Sequence, residues 1–299
     1  MWLRIFSLVG EKNRILHNRS IYAIFGEGIV QITRQSYPTD LTNQEWKVLE
    51  PLLPPASTRG RPVEYPMREI INAIVYFLRA GCAWRMLPHD LPPWQTVYYH
   101  FHKWRKDETW EKLNTALREQ IRQKEEREPT PSAAIIDSQS AKTTSVKGQR
   151  GYDAGKKIKG RKRHAVVDTL GLLLIVVVTA ASMQDRDGAK VALQNLQEKL
   201  SLPRLELVWA DGGYRGKLVG WVKETLSWVL EIVKRNDDVT GFQILPRRWV
   251  VERTFGWLNN YRRLSKDYEE LPETSEAVIY AAMVHIMVRR LAGTQTFRR

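Results

Sequence analysis

The sequence has almost no cysteine and no long apolar run. Its single cysteine, Cys82, excludes an internal disulfide and a zinc site made of several cysteines, which fits a reducing compartment. The longest apolar run, Leu170–Ala181, is shorter than the roughly 20 residues that a membrane-spanning helix requires. No small-residue cleavage site follows the short apolar patch at the N-terminus, so we expect no signal peptide. These absences predict a cytoplasmic protein that does not act on membranes.

Acidic residues are too few to balance the basic ones. Thirty-three Asp and Glu stand against 47 Lys and Arg, which gives a net charge of +14. Such an excess indicates a partner rich in phosphate, and nucleic acid is a better candidate than a membrane surface. With 43% hydrophobic residues among 299, the chain can bury one large core or two moderate ones.

Three regions can be separated along the chain. Residues 1–36 show no strong hydrophobic period, and we expect a poorly ordered tail. Residues 37–128 have helical periodicity and end in a proline-containing linker. Residues 129–299 alternate strand and helix patterns, which predicts an α/β class with a mixed sheet flanked by helices.

The helical region has the signals of a small helix-turn-helix-like domain. Thr42 and Glu45 form the pattern of a capping box, and further helices are predicted over 66–80 and 94–105, with Gly81 ending the first of these. In the 94–105 helix the predicted core stripe consists of Val97, Tyr98, Phe101 and Trp104. We expect the opposite face to bind DNA through Gln95, Tyr99, His102 and Lys103. A helical bundle that does not bind DNA is the alternative.

Three acidic residues occupy positions suited to a metal site. Asp137 and Asp211 each follow an apolar, strand-like run, and Glu252 lies in a helical stretch on the face between Trp249 and Phe255 that is predicted to pack inward. Carboxylates brought together at buried positions repel one another unless a cation neutralises them. We therefore expect two divalent ions, Mg²⁺ or Mn²⁺, that support displacement at a phosphodiester. An ion pair with Arg248 or a half-exposed position at the edge of the helix face is the alternative for Glu252.

A basic segment spans residues 147–163, after the strand that carries Asp137. It holds eight cations and four glycines, and we expect a loop that grips phosphates beside the metal ions. A solvated loop that only aids solubility is the alternative. The cations predicted to contact DNA are Lys147, Arg150, Lys156, Lys157, Lys159, Arg161, Lys162 and Arg163, together with Arg248, Arg262 and Arg263 around the third acid.

From about Tyr37 to Leu291 the sequence resembles bacterial insertion-sequence transposases of the DDE type, in the insertion sequence 5 group. The resemblance rests on these motifs: YPTDLTNQEWKVLEPLLPP, GCAWRMLPHDLPPWQTVYYHFHKW, IDSQSAKTT, GYDAGKKIKGRKRH, VTAASMQDRDGA, ADGGYRG and RRWVVERTFGWLNNYRRLSKDYE. It implies a ribonuclease-H-like catalytic domain with Asp137, Asp211 and Glu252 as the metal-binding triad. The first 30 or so residues lie outside the resemblance.

The implied activity is metal-dependent DNA cleavage and strand transfer at the terminal inverted repeats of the element. The implied partners are those repeats and target DNA, with a homo-oligomer assembled on DNA and a nucleoid-associated location. Arg248 fits the arginine of the wider superfamily's Tyr, Arg, Glu, Lys signature, but Leu245 and Asn259 occupy its tyrosine and lysine positions. A stand-alone nuclease of the same fold and an inactive or domesticated DNA-binding derivative are the alternatives.

Overall fold

The computed structural model describes residues 14–17, 20–25, 28–55, 65–145, 147–233 and 249–294, with side chains from residue 34 onward. The strands are β1 Arg14–His17, β2 Ser20–Phe25, β3 Gly28–Thr33, β4 Ala133–Lys142, β5 Gly151–Asp153, β6 Ile158–Asp168, β7 Leu173–Ala180, β8 Leu207–Ala210 and β9 Val229–Ile232. The helices are α1 Asn43–Leu49, α2 Met67–Ala80, α3 Trp94–Lys106, α4 Thr109–Lys124, α5 Asp185–Lys199, α6 Lys217–Leu226, α7 Trp249–Asn259 and α8 Pro272–Ala292.

The N-terminal segment contains regular structure, contrary to the predicted tail. Strands β1, β2 and β3 pair in sequence order as an antiparallel three-stranded sheet. The strands are rich in isoleucine, a β-branched residue that favours extended backbone. Because the strands are short, neither a helical period nor a long alternating period marks them in the sequence.

A six-stranded sheet forms the centre of residues 129–299. Its main order is β5-β6-β4-β8-β9, with β7 also paired to β6. Strands β4, β6 and β7 pair antiparallel, whereas β8 and β9 continue from β4 in parallel. Helix α5 connects β7 to β8, and α6 connects β8 to β9. This mixed sheet flanked by helices confirms the predicted α/β, ribonuclease-H-like class.

The two faces of the sheet pack against different helices. Ile135 of β4 joins a core built with α1 to α4, α7 and α8, whereas Ala134 and Ile136 join a second core with α5 and α6. The alternation follows from the two-residue period of a strand. The helices of residues 37–128 therefore have no core of their own, because they share one with the sheet and with α8. The boundary at residue 128 stays a prediction.

The predicted helices of the N-terminal half are present. The Thr42 hydroxyl accepts from the backbone N–H of Glu45, and the Glu45 carboxylate accepts from the backbone N–H of Thr42, so the capping box is formed. Helix α2 ends at Gly81, which adopts a φ of 72° that favours glycine. In α3, Val97, Phe101 and Trp104 are buried as predicted. Tyr98 is 38% exposed, so its assignment to the core stripe is wrong.

Polar side chains of α4 join the helical half to the turn between β6 and β7. Arg122 donates to Asp168 at 2.7 Å in a buried ion pair, and Asn114 donates to the carbonyl of Leu173 at 2.8 Å. Asp168 in turn accepts from the backbone N–H groups of Leu170 and Leu172. A buried pair of this kind is strongly destabilising when one partner is removed, so α4 is fixed to the sheet.

Candidate active site

Two of the three predicted acids stand at the same level of neighbouring strands. The parallel pairing of β4 with β8 runs from Ala133 opposite Leu207 to Ile135 opposite Trp209. Continued for two residues at the same offset, this register sets Asp137 opposite Asp211. Neighbouring strands lie about 4.8 Å apart, and residues in register point to the same face. The two carboxylates are therefore expected on the same face of the sheet, the face that packs against α7 and α8, at the point where β4 continues beyond the end of β8.

Local backbone bonds orient both carboxylates. Asp137 Oδ1 accepts from the N–H of Ser138 at 2.7 Å. Asp211 begins a short 3₁₀ turn over Gly212–Tyr214, and its Oδ1 accepts from the N–H of Gly213 at 2.8 Å. Both side chains are half-buried. They combine partial access to solvent with a fixed orientation.

Tyr214 lies where the negative charges meet. Burial raises the pKa of its phenol well above the ordinary value, and the charges of Asp137, Asp185 and Asp211 raise it further. Its side chain is 1% exposed, and the neighbouring Ser138 side chain lowers the pKa of the phenol only in part. The surroundings of Tyr214 are therefore strongly negative and sheltered from water.

Glu252 does not lie on the inward face of α7, so that prediction is wrong. Buried side chains of this helix are Val251, Thr254, Phe255 and Leu258, and Glu252 is exposed. Thr254 sets this orientation, because its hydroxyl donates to the carbonyl of Gly171 at 2.7 Å. Trp249 is only half-buried and contacts Arg253, whose guanidinium lies 4.5 Å from the ring centroid.

Among the residues that the structure describes, no three His, Cys, Asp or Glu side chains form a group able to hold a metal ion. Glu252 therefore does not complete a three-acid cluster in this conformation, although α7 packs against β4 and β6. The joint metal-binding role of Asp137, Asp211 and Glu252 stays a prediction.

The basic segment is mostly a β-hairpin, and its last three cations are buried. Arg161 pairs with Asp267 at 3.1 Å, Lys162 pairs with Asp185 at 2.9 Å, and Arg163 Nη1 donates to the carbonyl of Leu264 at 3.0 Å. These cations are buried because residues 264–275 cover Arg161 and Arg163, and the start of α5 covers Lys162. The predicted DNA contacts of Arg161, Lys162 and Arg163 are therefore wrong.

The first five cations of the segment are exposed and remain candidates for phosphate contacts: Lys147, Arg150, Lys156, Lys157 and Lys159. Lys156, Lys157 and Lys159 lie on the hairpin, which is held close to Asp137. Asp153 accepts from Ser140 Oγ at 2.6 Å, and Lys156 Nζ donates to the carbonyl of Ser138 at 3.0 Å. Although burial opposes it, bonds from Ser140, Lys156 and Lys162 lower the pKa of Asp153 to about 2.

The remaining predicted contacts are divided between surface and interior. On α3, Gln95 and Lys103 are exposed and Tyr99 is 61% exposed. His102 is half-buried next to Arg105, at 2.9 Å. Burial and the neighbouring cations Arg105 and Lys106 lower the pKa of His102.

Arg262 and Arg263 differ although they are adjacent in sequence. Arg262 is exposed, but Arg263 is 8% exposed and pairs with Glu269 at 2.7 Å. Arg263 also donates to the carbonyl of Cys82 at 3.2 Å. The predicted DNA contact of Arg263 is therefore wrong, and that of Arg248 lies outside the described residues.

Asp185 is a site residue that the sequence interpretation missed. It is the first residue of α5 and accepts from Ser138 Oγ at 2.7 Å. Burial opposes its ionisation, but hydrogen bonds from Lys162 and Ser138 lower its pKa overall. Its sequence context, MQDRDG, resembles an ordinary helix start with acids in the first turn. Only the three-dimensional contact with β4 distinguishes it.

Comparisons with known proteins agree with this architecture. Residues 128–287 match the family described as "Transposase DDE domain", and residues 41–114 match one described as "Putative transposase of IS4/5 family". A "Putative transposase for insertion sequence element IS402" from Burkholderia cepacia is 31% identical over 116 residues, which are 37% of this chain and 54% of that protein. The match thus spans about half of the relative's length.

Two solved structures share a weak overall likeness. The Mos1 strand transfer complex is 13% identical with a TM-score of 0.30, covering 81% of this chain and 82% of that one. The Mos1 mariner paired end complex with Mn is 12% identical with a TM-score of 0.29, covering 83% of each chain. None of the described helices is long and apolar enough to cross a membrane. Since the first family match covers more than half of the sequence, the chain belongs to the transposase DDE domain family.

Proposed function

We propose that the protein is a transposase that cleaves DNA at the terminal inverted repeats of its own insertion sequence and joins the ends to target DNA. The observation that supports this proposal is the parallel register of β4 and β8, which would bring Asp137 opposite Asp211 if it continued for two residues beyond Ile135 and Trp209. Both acids lie within the matched transposase domain. Two carboxylates on the same face of neighbouring strands repel each other, and a divalent cation between them would offset that repulsion.

The side chains present fit divalent metal ions. Carboxylate oxygens are the ligands that Mg²⁺ and Mn²⁺ prefer, and Asp137 and Asp211 would hold them, with Glu252 supplied by α7. The exposure of Glu252 leaves it accessible to an ion and to DNA. When bound, a pair of such ions activates the attacking oxygen and stabilises the leaving oxygen of a phosphodiester displacement.

The exposed cations would hold the DNA backbone next to these acids. Lys156 lies within hydrogen-bonding distance of the strand that carries Asp137, so a phosphate bound there is close to the reacting bond. Lys157 and Lys159 are exposed on the same hairpin. Contacts of this kind position DNA without reading its sequence.

Recognition of the element ends is assigned to α3. Its exposed face offers Gln95, Tyr99 and Lys103, with His102 at its edge, and amide and cationic groups on a helix can read base edges in the major groove. The protein is proposed to act on DNA as a homo-oligomer, because each element has two ends that must be joined together, and to be found with the nucleoid in the cytoplasm.

The test is a strand-transfer assay with labelled terminal-repeat DNA, a target plasmid and Mg²⁺. We expect cleaved ends and joined products from the unaltered protein, and neither from Asp211→Asn at equal DNA occupancy. Near-normal cleavage by Asp211→Asn would refute the site. Cleavage without any joining would identify a stand-alone nuclease, and end binding without cleavage would identify an inactive DNA-binding derivative.

A further inference from the structure

Asp185 reaches from α5 to the strand that carries Asp137. Its Oδ1 accepts from Ser138 Oγ at 2.7 Å and pairs with Lys162 Nζ at 2.9 Å. The Lys162 side chain is 6% exposed and also lies 3.4 Å from Asp153 and 2.9 Å from the carbonyl of Met183. Asp185 is thus fixed from two sides by groups of the central sheet.

Ser138 connects Asp185 to the candidate metal ligand. Its hydroxyl donates to Asp185, and its backbone N–H donates to Asp137 Oδ1 at 2.7 Å. The carbonyl of Ser138 accepts from Lys156 Nζ at 3.0 Å. One residue therefore receives contacts from α5 and from the hairpin while it orients the carboxylate of Asp137.

These polar contacts, together with the buried His164, lie beside an apolar part of the same face. On the same face of the sheet Ala134, Ile136 and Val166 pack against α5 and α6. Replacing buried ion pairs by apolar side chains is often neutral or stabilising, so stability alone does not explain a buried lysine here. The polar contacts begin at Ser138, next to Asp137, and the buried Tyr214 phenol lies beside the Ser138 side chain.

We propose that Asp185 is a positioning residue that, through Ser138, holds Asp137 in the orientation that binds the metal ion. The inference rests on the proposed function. A side chain of this kind does not touch the ion, but removing such a partner typically lowers metal affinity by about 10- to 100-fold.

The test measures Mn²⁺ binding to the full chain, from the signal of free Mn²⁺ in electron paramagnetic resonance. Asp185→Ala and Ser138→Ala are expected to weaken binding about 10- to 100-fold. Asp185→Asn keeps an acceptor for Ser138 but loses the charge that pairs with Lys162, so its loss is expected to be smaller. Asp187→Ala is the matched control, because Asp187 is an exposed acid in the same first turn of α5.

Cleavage gives a second readout. Asp185→Ala is expected to need about 10- to 100-fold more Mg²⁺ for half-maximal cleavage, with the rate recovering at saturation. A merely structural role would instead lower the rate equally at every Mg²⁺ concentration and reduce the melting temperature of the metal-free protein. That result would overturn the inference.

The measurements distinguish a failure of the proposed function from a failure of the role assigned to Asp185. If the unaltered protein binds no Mn²⁺, or if Asp137→Ala binds as well as the unaltered protein, the metal site of the proposed function is wrong. If the unaltered protein binds Mn²⁺ and Asp137→Ala does not, but Ser138→Ala binds normally, only the role of Asp185 is wrong. Ser138→Ala removes one hydroxyl, so it decides the matter even where Asp185→Ala does not fold.

Discussion

The two halves of the basic segment have similar charge and opposite surroundings. Lys156, Lys157 and Lys159 are exposed on the hairpin, although Lys156 also contacts Ser138, whereas Arg161 and Arg163, a few residues later, are 1% and 2% exposed. The difference arises because residues 264–275 cover the side chains of Arg161 and Arg163. A run of cations in the sequence can therefore contain both exposed side chains, which are candidates for phosphate contacts, and buried side chains, which bind protein groups within the fold.

Breaking a buried ion pair is expected to have the largest effect on stability. Arg161→Ala leaves the buried carboxylate of Asp267 without its cation, and we expect the free energy of unfolding to fall by about 3–5 kcal/mol. Urea denaturation monitored by tryptophan fluorescence measures the loss. Lys159→Ala is the control, with an expected change within about 0.5 kcal/mol. Equal losses of stability in the two variants would show that the buried and exposed halves of the segment do not differ in this way.

Removing the exposed cations tests the other half of the basic segment, through its effect on DNA binding. In the triple variant Lys156→Ala, Lys157→Ala, Lys159→Ala we expect weaker binding to all DNA, while the slope of log affinity against log salt falls by about 0.9 for each phosphate that the protein no longer neutralises. Fluorescence anisotropy with terminal-repeat and scrambled duplexes measures both. An unchanged salt slope would favour a solvated hairpin, and an altered sequence preference would mean that these lysines read bases.

A half-buried acid, Glu276, extends the comparison to negative charge, with the smallest expected effect. Burial raises the pKa of Glu276 on α8 to about 7, although the N–H of Val178 donates to it at 2.8 Å. Its unfolded form ionises near pH 4.5, so the unfolded state loses its proton first. The stability that Glu276 contributes is therefore complete below about pH 4.5 and is lost as the pH rises to about 7.

Glu276→Gln keeps an acceptor for Val178 and cannot ionise. The decline in stability between pH 4.5 and pH 7 should therefore be shallower in this variant. Melting temperatures measured from pH 4 to pH 8 provide the check, with Glu273→Gln, an exposed acid of the same helix, as the control. Parallel profiles for the unaltered protein and Glu276→Gln would show that Glu276 ionises normally.

Local patterns predicted the elements well. The capping box at Thr42, the stop at Gly81 and the strand that ends before Asp211 follow from residues close to one another in sequence. The strand predicted to end at Asp137 instead continues to Lys142. The strand periods also predicted the α/β class. What these signals have in common is that neighbouring residues within one element produce them.

Several errors at the candidate site depended on distant partners. Arg161 is buried because residues 267–275, more than 100 positions later, fold over it. Glu252 was placed on the wrong face because Trp249 looked like a core residue, whereas Val251 and Thr254 set the orientation of α7. Asp185 gains its role only from a contact with β4. No short-range pattern carries such information.

The core shared by α3, α8 and the sheet has a consequence for the geometry of the substrate. Helix α3 packs on α4 and α8, and α4 is tied to the sheet by Arg122 and Asp168. Under the proposed function, the protein would act as a ruler between the bases that α3 reads and the bond that is cut. One base pair inserted between them would move that bond by about 3.4 Å along the duplex, away from Asp137 and Asp211, so we expect protein packing to fix the spacing within each element end.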